Sequence, residues 1–131
     1  MRWIASAALV ILLGAGASAH HAHPDFDLSR KATVTGMLES MVWKNGHVLL
    51  TLRAADSTLY TAEWQGAGQL YLHYGCAYNG PVTRDTLKVG DFLVVVGAPP
   101  IDRARHELVE LSELSRPSDQ WHWACYARSD H

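Results

Sequence analysis

Cysteine is scarce in this chain, with two in 131 residues and no Cys-x-x-Cys spacing. That excludes a thioredoxin-type redox motif and a multi-cysteine zinc site. Long apolar runs are missing as well. Residues 3–13 form a run of 11, well short of the roughly 20 needed to cross a bilayer as a helix. Basic residues are not in excess, at 11 Lys and Arg against 13 Asp and Glu. A dedicated nucleic-acid binder, with its basic footprint, is therefore disfavoured. There is no glycine-rich loop to cradle a phosphate. Ser40, Ser57 and Ser112 stand in no nucleophile-elbow pattern. Glu39 and Glu63 form a carboxylate pair on paper, but their strand positions read as solvent-facing charges. Little here points to an ordinary enzyme.

What is present begins with an export signal. Arg2 is a positive start, residues 3–13 an apolar core, and Ala17-Ser18-Ala19 a small-x-small cleavage pattern. Ala15-Gly16-Ala17 is a second site, and the later one is favoured. With no Cys at the cleavage point, a lipoprotein anchor is not expected. Removing residues 1–19 leaves 112, enough for one domain with a modest core. The mature chain then carries 10 basic and 13 acidic residues, a net charge of −3 with no membrane span. A periplasmic or secreted location follows, and with it an oxidising compartment.

Residues 20–30 are polar, His-rich and aperiodic, and read as a flexible or loosely docked arm. Pro24 keeps His23 extended. Residues 33–53 read as a long hairpin. Val34, Leu38 and Val42 recur before its turn, and Val48, Leu50 and Leu52 after it. Asn45-Gly46 at the tip suggests a type I′ turn with φ > 0 at both positions. Asp56-Ser57 starts a turn into a third strand over 59–65. Residues 69–74 suit a short helix with Leu70, His73 and Tyr74 on one side. Cys76 to Val82 looks like a loop. Residues 92–96 form a buried strand. Residues 105–115 place Leu108, Leu111 and Leu114 at near-helical spacing, yet a fifth strand would close the sheet, and strand is favoured. The expected class is all-β with one short helix, in the strand order of a five-stranded OB-like Greek-key barrel. Another small barrel or sandwich is the alternative. The domain plan is a signal peptide over 1–19, the arm over 20–30, the barrel over 31–115, and a tail over 116–131 packed on it.

His20-His21 follows the signal, Trp43-Lys44-Asn45-Gly46-His47 ends the first strand, Tyr60 and Glu63 share the third strand, and Thr86-Leu87-Lys88-Val89-Gly90-Asp91 precedes a Val-rich strand. In these features the chain resembles a family of small exported bacterial proteins of unknown function, whose hairpin reads Trp-x-Asn-Pro-His. The resemblance covers roughly residues 19–98. Gly46 replaces the usual Pro, and Tyr60 the usual Trp. Residues 76–81 look inserted, and the Trp-rich tail is unlike the family's ending. The resemblance implies an OB-like fold and export, and no activity.

Four constellations bear on chemistry. The first is the histidine cluster. With cleavage after Ala19, His20 presents an α-amine and an imidazole, which with a second imidazole make a T-shaped, three-nitrogen site. Nitrogen-rich sets suit Cu(II). His21, His23 or His47 can complete it, with Asp25, Asp27 and Glu63 as oxygen ligands or supports. Cleavage after Ala17 would remove that terminus, and a solvated His-rich start is the plain alternative. The second is Trp43 with His47 at the barrel rim, a candidate groove or simply a lid on the barrel end. The third is Cys76 with Cys125, most simply one disulfide tying tail to insertion. Free thiols, or a soft metal site with His122, are the alternatives. The fourth is Trp121-His122-Trp123, a stacking surface or, by preference, a buried tail.

The expected function is a periplasmic binding protein for copper or another divalent metal through His20, His21, His23 and His47. A metal-independent module is the alternative. It would bind a protein, peptide or glycan on a face made by Trp43, Glu63, Trp64 and His73. A small hydrolase or oxidase would require an open pocket joining His47, Glu63 and His73.

Overall fold

A computed structural model describes residues 23–72 and 76–125. The elements run β1 (Ala32–Val42), β2 (Leu49–Arg53), β3 (Leu59–Glu63), α1 (Ala67–Leu72), β4 (Ala77–Tyr78), β5 (Phe92–Ala98), β6 (Glu107–Arg116) and β7 (Trp121–Ala124). β1 pairs antiparallel with β2 and β5, β2 with β3, and β5 with β6. A short parallel pairing of β3 with β6, at Thr61–Glu107 and Ala62–Leu108, closes the ring. The result is the expected class, a closed five-stranded barrel with one short helix. β7 adds to β6 and β4 adds to β7 outside the ring. Among the described residues no helix is long and apolar enough to cross a membrane.

The alternation of the hairpin supplies the core. Leu38, Val48, Leu50 and Leu52 are essentially inaccessible, with Leu93, Val95 and Leu114 against them. Val42, expected on the same side as Leu38, is instead exposed. A register shift between Leu38 and Ser40 explains it. One extra residue reverses which side chains face in, so Met41 packs on the core and Val42 points out.

The tip of the hairpin also differs from expectation. Val42 pairs with Leu49, which leaves a six-residue connection. Neither Asn45 nor Gly46 has positive φ, so there is no type I′ turn. The connection is instead tied to the chain leaving β3. Lys44 O accepts from Ala67 N at 3.0 Å, Gln65 O from Val48 N at 3.1 Å, and Val48 O from Trp64 N at 2.8 Å.

The segment over 76–82, read as a loop, contains β4. It is a strand because β7 offers it an edge, at Ala77–Ala124 and Tyr78–Trp123. Within the tail, Trp121–Ala124 is likewise a strand rather than a mere covering, and both Trp121 and Trp123 are buried. Arg116 anchors its turn. The guanidinium bonds Asp119 Oδ2 at 2.8 Å and Asp91 Oδ2 at 2.8 Å, and stands over the Trp121 ring. Asp119 is held below its ordinary value chiefly by that hydrogen bond. Asp91 also accepts from Lys88 N at 2.9 Å, closing the Leu-Lys-Val-Gly-Asp turn over Gly90, whose φ is +95°. Cys76 and Cys125 form a disulfide across a separation of 49 residues, so neither is a free thiol.

Candidate functional site

Residues 23–30 are docked on the barrel. Asp27 N donates to Pro99 O and Ile101 N to Asp25 O, both at 2.9 Å, around a bridge between Phe26 and Pro100. Arg105 lies over the Phe26 ring and pairs with Asp25 at 3.6 Å. The His23 ring meets Phe26 edge-on. This fixes the end of the arm beside the end of β3.

There the site assembles. Glu63 is the last residue of β3, opposite Leu49 of β2. Its Oε1 stands 3.1 Å from His47 Nδ1 and 3.6 Å from His23 Nε2. The side chains retain 26%, 35% and 16% exposure for Glu63, His47 and His23. His47 Nδ1 also lies 3.1 Å from Trp64 O, so one ring N–H has two acceptors within reach. Glu63 is therefore not the solvent-facing charge expected from its strand position. It is a half-buried carboxylate with an imidazole on either side. Glu39 does face solvent and pairs with Arg53.

The other expected residues fall elsewhere. Asp25 is engaged by Arg105. Asp27 caps its own turn through Ser29, and that bond lowers its carboxyl below the ordinary value. Trp43 is half-buried and packs on the core. Trp64 is 1% exposed and meets Trp123 edge-to-face at 5.2 Å, so it is no exposed stacking platform. His20, His21 and His73 lie outside the described residues. Among the described residues, no three His, Cys, Asp or Glu side chains already stand as a metal-holding group.

Sequence reasoning missed the cavity that opens behind Glu63, about 430 Å³ in volume. Its origin is a change of partner along β6. On one edge β6 pairs first with β3, at Glu107 and Leu108, and then with β7 from Glu113 onward. Between these, at residues 109–111, no strand pairs on that edge among the described residues. A register shift against β5 coincides with Glu110, whose φ is +47°. The cavity fills this split, with Glu110 and Ser112 on one side, His47 and Glu63 on another, and Arg30 and Lys31 where the arm enters the barrel. The near-helical spacing of Leu108, Leu111 and Leu114 was its trace in sequence, since β6 runs from Val109 to Glu113 against only Val96 to Ala98 of β5, and the extra residues break the two-residue period.

The profile of a family of unknown function (DUF6152) matches residues 8–110, and the chain belongs to that family. The match ends inside β6, so β7 and Cys125 lie beyond it. No curated protein and no solved structure matches the chain.

Proposed function

We propose that this member of the family is an exported periplasmic binding protein that holds copper or another late divalent metal at the His23–Glu63–His47 corner. The observation that carries the reading is the docked arm. It brings a histidine of the N-terminal cluster onto the same carboxylate oxygen that meets His47. Two imidazoles and a carboxylate are a donor set for Cu(II), Ni(II) or Zn(II). Covalent reach supports completion from the same cluster. His21 and His20 are two and three residues before His23, hence within about 7 and 11 Å of it. With cleavage after Ala19, the α-amine and imidazole of His20 would add two nitrogens. In the protein without metal, Glu63 would hold both rings by hydrogen bonding, and metal would displace those protons. The role is binding or delivery.

The test is native mass spectrometry of the periplasmic protein with one equivalent of Cu(II) and a competing chelator. The wild type is expected to start at His20 and retain one copper. His47→Ala and Glu63→Gln should each lose it by roughly tenfold or more in affinity. A wild-type chain that gives copper up as readily as both variants would overturn the reading.

A further inference from the structure

We propose that the cavity behind this corner binds a small amino-carboxylate, a zwitterion of free amino-acid or dipeptide size. The inference goes beyond the metal reading and does not depend on it. Volume is the first argument. The cavity measures about 430 Å³, within the roughly 300–1,000 Å³ of small-molecule pockets. A single metal ion would fill one corner of it.

Charge is the second argument. The wall carries two cations, Arg30 and Lys31, and two carboxylates, Glu63 and Glu110. A ligand of one sign meets as much repulsion as attraction there, whereas a ligand with both signs can match both.

Hydrogen bonding is the third, and it is independent of the others. Among the described residues, three buried side-chain polar atoms have no partner: Trp64 Nε1, Ser112 Oγ and Trp123 Nε1. Trp64 and Ser112 line the cavity, and Trp123 meets Trp64 edge-to-face. Ser112 is 8% exposed. An indole N–H only donates, and a hydroxyl can donate. The indole nitrogens are closed to solvent and so to the cavity, which leaves Ser112 Oγ as the donor that calls for an acceptor, because buried unmade donors are costly. A carboxylate supplies it. Ser112 Oγ is shielded from solvent and reaches the carboxylate by a turn about χ1 between staggered positions. The ligand's ammonium then pairs with Glu63, at the mouth.

The experiment is calorimetric titration of the full mature protein, stripped of metal with a chelator. The probes are glycine, histidine, glutamate and glycylglycine, with acetate and methylammonium as one-group controls. At least one zwitterion is expected to bind saturably, and at least tenfold more tightly than either control. Ser112→Ala should weaken it by about fivefold while leaving the melting temperature equal or higher, since it removes an unpartnered hydroxyl. Arg30→Gln should weaken it while copper retention is unchanged. The proposal is overturned if no zwitterion binds saturably, if a control binds as well, or if both variants bind like the wild type. Copper retention without zwitterion binding would overturn this inference alone. Zwitterion binding without copper retention would overturn only the metal reading.

Discussion

Two glycines stand at the start of α1, and the structure assigns their alanine variants opposite signs. At Gly66 an added Cβ would fall 2.0 Å from Asn45 O and 2.8 Å from Gly46 O. Both are backbone atoms of the β1–β2 connection, so neither can rotate aside. Gly66→Ala must push that connection away from the helix. Overpacking of this kind costs about 1–3 kcal/mol. Straining the bond from Ala67 N to Lys44 O adds about 1 kcal/mol. The expected loss is about 3 kcal/mol. At roughly 4–8 °C per kcal/mol for a domain of this size, the midpoint should drop by about 12–24 °C. At Gly68 an added Cβ meets nothing within 4 Å, and Ala is the better helix former by about 0.5–1 kcal/mol. Gly68→Ala should therefore raise the midpoint by a few degrees. Thermal and urea unfolding followed by circular dichroism separates the two cases. A Gly66→Ala protein within 0.5 kcal/mol of the wild type (about the scatter of a neutral surface change) would refute the reasoning. So would two variants that shift in the same direction.

Two further predictions concern the tail. The Cys76–Cys125 bond closes a separation of 49 residues. Replacing both cysteines by Ser should cost about 4 kcal/mol in the chain-entropy treatment, read as a lower urea midpoint than the oxidised wild type, and the same shift should follow reduction of the wild type. Asp119 is held below its ordinary value of 3.8 by Arg116. As pH falls through 3.8 the unfolded chain takes up that proton first. The contribution of Asp119 is thus full above that pH and is lost as pH drops through the lower folded value. Asp119→Asn should flatten the acid limb of the stability profile and leave the shape near pH 7 unchanged, as measured by urea midpoints from pH 2 to 7.

The barrel was legible because its long strands follow simple rules. Val48, Leu50 and Leu52 alternate without interruption, and all three are buried. Deviations came where residues were inserted, one in β1 and two in β6. The shift near Glu39 turned Val42 outward, and the one at Glu110 gave Leu108 and Leu111 a helical look. Such insertions leave composition untouched, so they surface only through the pairing of distant strands. The Asn-Gly signal failed for a related reason. A local turn preference was outweighed by hydrogen bonds from residues about twenty positions away. At the site, His23, His47 and Glu63 could be named as chemically apt, but not that one carboxylate oxygen would meet both rings. Ser112, Arg30 and Glu110 carried no sequence signal, because a cavity wall is a property of the assembled strands.

The parallel pairing that closes the ring has a consequence in time. It joins Thr61 to Glu107 and Ala62 to Leu108, while the arm reaches from Phe26 to Pro100. Contacts so distant along the chain must wait until loop-closure entropy has been overcome, and they form late. His23, Glu63 and the β6 wall therefore meet only once the last ring strand is in place. A nascent or half-folded chain holds the same residues but not the site. Whatever binds there recognises the finished barrel and by mass action draws the folding equilibrium toward it.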